Sequence, residues 1–283
     1  MPLHPYNPRM AQINYTKMTG LGNDFMVVRG VPVPVSADIR RLADRATGVG
    51  FDQLLWLDEP RNADEDVYYR VFNADGGEVE QCGNGARCIV RYIAGDDNDL
   101  DRTWRLGFPD GVLEGHLLPD GNVAVAMGEP NFSPASLPFV AAAESDSYEL
   151  QVGDETIAVA VASMGNPHAV MDVADVTSAP VERLGPLLER HERFPNRANI
   201  GFRQFVSPER IRLRVFERGV GETQACGTGA CAAVVTGQRA GLLAADVQVE
   251  LPGGELRVRW AGAGTPVWLI GAAVTVSEGV VEV

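Results

Sequence analysis

Short apolar runs bounded by glycine or proline dominate the hydrophobic pattern of the chain. Tyr68 to Phe72, Val123 to Met127, Ile157 to Ala162, Ile211 to Phe216, Val247 to Leu251, Glu255 to Trp260 and Val267 to Ile270 each read as a strand, since their length and turn-forming borders suit a strand and not a helix. The alternation in Ile13-Asn14-Tyr15-Thr16-Lys17-Met18 predicts another, with Lys17 on a solvated face. Two segments keep a helical period. From Asn84 to Ala94, the residues Ala86, Ile89, Val90 and Ile93 form one apolar stripe. From Thr228 to Ala240 the residues are small and apolar nearly all round (Ala230, Cys231, Ala232, Ala233, Val234, Val235), which predicts a buried central helix. Gly95 and Gly241 supply the stops. The longest apolar run, Ile157 to Met164, is strand-sized, against about 18 residues for a membrane span.

The pattern repeats at half the chain length. Phe72 to Ala86 (FNADGGEVEQCGNGA) aligns without a gap on Phe216 to Ala230 (FERGVGETQACGTGA), an offset of 144 residues. At an offset of 143, Gly22-Asn23 matches Gly165-Asn166, Pro109-Asp110-Gly111 matches Pro252-Gly253-Gly254, and the strand ending at Gly128 matches that ending at Gly271. Several collinear matches imply an internal duplication. Each half reads as strand, Gly-Asn turn, irregular middle, strand, glycine-rich turn, cysteine, helix, then a strand pair. The expected fold is α/β (α+β): two pseudo-symmetric domains, each a curved, mostly antiparallel sheet around a central helix. Asp96 to Asp101 reads as a solvated acidic turn.

Composition narrows the partners. Among 283 residues, 24 Lys+Arg against 38 Asp+Glu give a net charge of −14, which disfavours nucleic acid and anionic membranes, both of which need a basic surface. Met1 to Met10 lacks the apolar core of a signal peptide and reads as a short extension. Asn14-Tyr15-Thr16 and Asn131-Phe132-Ser133 are then accidental glycosylation patterns. Four cysteines make no disulfide scaffold in a chain this long. A reducing cytosol is the expected compartment. Lysine occurs once, at Lys17, outside any motif, so a pyridoxal Schiff base is not expected.

Cys82 and Cys226 stand at the two duplicated helix starts, each followed by Gly-x-Gly-Ala. A helix N-terminus favours negative charge and lowers a thiol pKa, and its free N–H groups also bind a carboxylate. A lone cysteine is usually a buried structural residue, but duplicated placement favours function here. Cys88 and Cys231 lie inside the helices and read as core residues. Cys82 and Cys88 are six apart, as zinc pairs are not, and no metal is expected. Two thiols approaching one small ligand from opposite sides would invert a stereocentre, one removing a proton and the other delivering one. The helix starts would stabilise charge growing on an adjacent carboxylate.

These segments resemble the diaminopimelate epimerase family, over essentially the whole chain after about Met10. The resemblance rests on MTGLGNDF (Met18 to Phe25), GFDQLL (Gly50 to Leu55), FNADG (Phe72 to Gly76), QCGNGARC (Gln81 to Cys88), MGNPH (Met164 to His168), NIGF (Asn199 to Phe202) and ERGVGETQACGTGA (Glu217 to Ala230). It implies an isomerase interconverting LL- and meso-2,6-diaminopimelate in lysine biosynthesis, without cofactor. Cys82 and Cys226 would be the catalytic bases. Gly83, Asn84, Gly227 and Thr228 would offer N–H groups to the reacting carboxylate. Asn23, Gln53, Asn73, Asn166, Asn199, Glu217 and Arg218 would line the substrate pocket, matching a ligand with two ammonium and two carboxylate groups. His168 and Asp75 would support that set, while Glu78 and Glu222 read as helix-capping or loop-bracing residues. The resemblance also sends the C-terminal strand back to the first domain. The expected division is 1–10 (extension), 11–130 with 272–283, and 131–271, the crossings acting as a hinge. The expected assembly is a cytoplasmic homodimer. Another racemase of the superfamily, acting on proline or hydroxyproline, is the alternative.

Overall fold

In a computed structural model, residues 12–79, 82–95 and 99–282 are described. The N-terminal extension, Glu80, Gln81 and part of the acidic turn lie outside them.

Four helices are present among these residues: α1 (Ser36–Ala43), α2 (Gly83–Ala94), α3 (Val181–Glu189) and α4 (Gly227–Arg239). Each spans one parallel strand pair. Helix α1 joins Asn23–Arg29 to Gln53–Asp58, and α2 joins Val67–Asn73 to Trp104–Phe108. Helix α3 joins Pro167–Asp172 to Asn199–Ser207, and α4 joins Arg210–Glu217 to Asp246–Leu251. A parallel pair needs such a crossover because the chain must return to the strand's starting end. All other pairings are antiparallel, and two of them join distant segments, Gln12–Gly20 with Val274–Glu282 and Val123–Ala126 with Trp268–Gly271. The expected irregular middle of each half is thus corrected: it holds a strand–helix–strand unit. Helix α1 buries only Ile39, Leu42 and Ala43, and α3 carries Gly185 and Pro186, so neither gave a legible stripe.

The two halves have one strand order. In the first, Val274–Glu282, Gln12–Gly20, Asn23–Arg29, Gln53–Asp58, Val67–Asn73, Trp104–Phe108, Gly111–Leu117 and Val123–Ala126 lie side by side. In the second the order is Tyr148–Val152, Glu155–Ser163, Pro167–Asp172, Asn199–Ser207, Arg210–Glu217, Asp246–Leu251, Gly254–Arg259 and Trp268–Gly271. The first strand of each set is contributed by chain that has just left the other half. The last strands pair with each other, Val123 opposite Gly271 and Ala126 opposite Trp268, so the sheets are continuous.

Helices α2 and α4 share one apolar core running through both halves. Ala230 to Val235 are fully buried, as their all-round apolar surface requires. Helices α1 and α3 cover separate outer cores. Gly95 and Gly241 have φ of +55° and +72°, the left-handed turn that ends a helix most readily at glycine. Lys17 is only partly solvated. It is 20% exposed, with Nζ 3.3 Å from the Val49 carbonyl and 3.7 Å from Asp24.

Helix α3 lies on the strand that ends at Glu217 through a glycine. A β-carbon on Gly185 would sit 2.6 Å from two atoms of the Phe216 ring and 2.9 Å from its Cβ. Overpacking of this kind costs about 1–3 kcal/mol, against roughly 1 kcal/mol gained by alanine over glycine in a helix. Gly185→Ala should therefore lower the melting temperature in a thermal denaturation series. A higher value would contradict this packing.

Candidate active site

Cys82 and Cys226 are the N-cap residues of α2 and α4, both in extended backbone conformation. An N-cap side chain normally accepts from the N–H groups two and three residues on. Neither sulfur makes a capping hydrogen bond, but the nearby N–H groups of Gly85 and Asn84 favour the Cys82 thiolate and that of Gly229 the Cys226 thiolate. The Thr228 hydroxyl lies 3.7 Å from Cys226 Sγ.

The glycines in the two Gly-x-Gly segments have a steric cause. A β-carbon on Gly83 would lie 3.0 Å from Leu269 Cδ2, and one on Gly227 2.8 Å from that same methyl group. The two helix starts are thus wedged against one residue of the strand joining the halves. The second glycine of each segment admits the neighbouring strand, Leu55 against Gly85 and Val215 against Gly229. A β-carbon on Gly229 would also crowd Cys226 Sγ, at 3.2 Å.

The amide side chains repeat the duplication. Asn84 Nδ2 donates to Asn23 Oδ1 at 2.8 Å. In the second half Asn166 Nδ2 donates to Thr228 Oγ1 at 3.4 Å, joining the two equivalent positions. Gln53 Nε2 donates to Asn73 Oδ1 at 3.0 Å. Asn199, 4% exposed, gives Nδ2 to the Pro167 carbonyl and accepts the Arg218 N–H at 2.9 Å. Glu217 Oε1 receives the Thr223 hydroxyl at 2.5 Å. Glu78 and Glu222 form equivalent ion pairs with Arg70 and Arg214. They brace loops and cap no helix. Asp75 closes a turn through the Gly77 N–H and is exposed.

A cavity of about 730 Å³ opens here, lined in the second half by Met164, Gly165, Asn166, Arg218 and Thr228 and in the first by Glu78, Val79, Phe108 and Asp110. Phe108 and Asp110 were missed from sequence: they sit in a strand and its turn with no motif of their own. The structure brings Asn166, Arg218 and Thr228 to this cavity, with Gly83, Asn84 and Gly227 at the helix starts beside it. Asn199 lies beneath Arg218.

Burial raises the pKa of both thiols, Cys226 well above the usual range. At Cys82 the nearby N–H groups and the buried Arg87 charge oppose that rise. The Glu217 carboxylate adds to it at both sulfurs, and at Cys226 the Thr228 hydroxyl and the Gly229 N–H oppose it. Burial also pushes the Glu217 carboxyl up. The net rise is the larger at Cys226.

Structures with this fold include isomerases that act on small acids. A hydroxyproline epimerase from Agrobacterium vitis matches with TM-score 0.70 at 16% identity, over 98% of this chain and 93% of that one. Methylitaconate-delta-isomerase matches with TM-score 0.63 at 15% identity, over 97% and 96%. At such identities the likeness is one of fold. Sequence is more specific. The diaminopimelate epimerase family model matches residues 15–133 and 160–279. Diaminopimelate epimerases of Laribacter hongkongensis and Pseudomonas paraeruginosa are 55% and 52% identical over 273 residues, which is 95% of this chain and 98% and 99% of theirs. The chain belongs to the diaminopimelate epimerase family.

His168 gives a pH test of the site's packing. Burial, then the Arg218 charge, pushes its pKa down to about 3, and its Nε2–H donates to Asn166 Oδ1 at 2.9 Å. The unfolded chain binds this proton below about pH 6.5, whereas the folded chain refuses it until about pH 3. Stability from the neutral ring is therefore complete above pH 6.5 and falls by about 1.4 kcal/mol per unit as pH drops through that window. Between pH 7 and pH 5 the wild type should lose about 2 kcal/mol more than His168→Gln in urea unfolding. Equal losses would place the ring in contact with solvent.

Proposed function

We propose that the protein is a diaminopimelate epimerase, interconverting LL- and meso-2,6-diaminopimelate by two-thiol proton transfer in lysine biosynthesis. The observation carrying this reading is the pair of cysteines at the N-cap positions of two helices whose first turns press on the same leucine. The substrate carboxylate next to the reacting carbon receives the backbone N–H groups of Gly83, Asn84, Gly227 and Thr228. One thiolate takes the α-proton, becoming a thiol, and the electron pair spreads into that carboxylate. The opposite thiol then protonates the other face of the carbon and becomes a thiolate. Charge balances with no external oxidant or cofactor. Fixed N–H dipoles aimed at the growing charge are worth about 3–4 kcal/mol each in comparable sites.

Arg218 takes the distal carboxylate in a two-pronged grip that lysine cannot copy. Glu217 and the amides of Asn23, Gln53, Asn73, Asn166 and Asn199 serve the ammonium groups and the rest of the ligand. We divide the chain into 11–130 with 272–283 and 131–271, since Val274–Glu282 pairs with Gln12–Gly20; the crossings form the hinge for closure over substrate. The proposed setting is the cytosol, which keeps thiols reduced. No helix among the described residues is long and apolar enough to cross a membrane.

Assay of LL- and meso-diaminopimelate beside proline, hydroxyproline and glutamate, with dithiothreitol present, tests the reading. Turnover should be confined to diaminopimelate, and Cys82→Ala and Cys226→Ala should each lower kcat at least about 1,000-fold. Preference for proline or hydroxyproline would favour the other racemases of this fold, and full activity in either alanine variant would remove that thiol from the chemistry.

A further inference from the structure

Glu189, the last residue of α3, is 2% exposed. Its carboxylate is bound on several sides. Oε1 accepts the Gly219 N–H at 2.7 Å. Arg197 Nη1 lies 3.7 Å from the same oxygen, and Arg190 Nε 3.5 Å from Oε2. Its backbone carbonyl accepts the Ala198 N–H at 3.2 Å. Every segment it touches meets Arg218. Gly219 belongs to the turn closed by Val220 N–H on the Glu217 carbonyl. Arg197 has a φ of +59°, a conformation that a non-glycine residue keeps only when its surroundings hold it. The preceding Asn196 gives its carbonyl to Arg218 Nη1 at 3.3 Å. Ala198 leads into Asn199, whose Oδ1 takes the Arg218 N–H.

Among the described residues the equivalent turn of the first half has no such anchor. Gly76 N–H closes it on the Asn73 carbonyl. Helix α1 holds it by donating, Arg40 Nη1 to the Asp75 carbonyl and the Ser36 hydroxyl to the Gly76 carbonyl. That turn carries Ala74 where the second carries Arg218. Of these two turns, among the described residues, the one that presents a guanidinium is the one with a buried carboxylate beneath it. We propose that Glu189 is a positioning residue, whose carboxylate fixes the Glu217-Arg218-Gly219 turn and the loop from 190 to 198 so that Arg218 meets the substrate's distal carboxylate. This rests on the role given to Arg218 under Proposed function.

A charge-assisted bond to a backbone N–H is about twice as strong as a neutral one, and a misplacement near 1 Å in a binding group costs about 100-fold in rate. Glu189→Gln keeps the shape and an acceptor but loses the charge. It should reduce kcat/KM for diaminopimelate about 10-fold, mainly through KM, and Glu189→Ala about 100-fold. The two residues should act as one unit: in an Arg218→Lys background, Glu189→Gln should cost less than about 2-fold more. Independent, multiplicative losses, or an unchanged KM in Glu189→Gln, would overturn the proposal. Amide hydrogen exchange of the substrate-free protein separates this outcome from failure of the Arg218 reading. Exchange at Gly219 and Val220 should quicken at least about 10-fold in Glu189→Gln while α4 stays protected. Unchanged protection of that turn would overturn the proposal whatever the enzyme's substrate.

Discussion

The close approach of two helix N-termini is the constraint on which the rest of the structure depends. Leu269 touches the positions where Gly83 and Gly227 would carry side chains, and any larger residue at either would crowd its methyl group. Holding them there requires strand Trp268–Gly271 to pair with Val123–Ala126, which requires each half to end on an edge strand turned toward the other. It also requires the interiors of α2 and α4 to be small or apolar, as Ala86, Ala230, Ala232 and Ala233 are. The cysteines occupy the N-cap positions of these helices, where burial raises both thiol pKa values and the helix-start N–H groups oppose part of that rise.

The duplicated scaffold is symmetric, but its charges are not. Asn84 with Asn23 and Thr228 with Asn166 link the same two positions in the two halves, with donor and acceptor exchanged, and the Arg70–Glu78 and Arg214–Glu222 pairs brace equivalent hairpins. Asn73, however, gives way to Glu217, and Ala74 to Arg218. One half thus offers neutral amides and the other a carboxylate and a guanidinium. Such a pocket suits a ligand whose two ends must be told apart. Glu217 also weighs on the thiols, its charge raising the pKa of both.

Most of the frame was legible in the sequence, because the repeat at 144 residues aligns the cysteines, the glycines and the preceding strands in one stroke. Helices α2 and α4 came within a residue or so of their observed bounds, as strong apolar patterns do. Helices α1 and α3 were hidden for physical reasons. The first is eight residues long with three buried, and the second carries the glycine that admits Phe216 and a proline that normally breaks helices. Lys17 misled because alternation along a strand says nothing of the loop above it, where the Val49 carbonyl waits. Glu189 and Phe108 were silent since their roles arise only when distant segments meet.

The central claim, that two thiols act from opposite faces of one carbon, is tested most directly by running the reaction in D2O and measuring deuterium at the α-carbon by NMR at low conversion. The thiol that removes the substrate proton keeps it, while the opposite thiol has already exchanged with solvent. Product formed early should therefore carry deuterium at the inverted carbon, and recovered substrate almost none. Equal labelling of substrate and product, or product that retains the original hydrogen, would mean a single base serving both faces and would contradict the account.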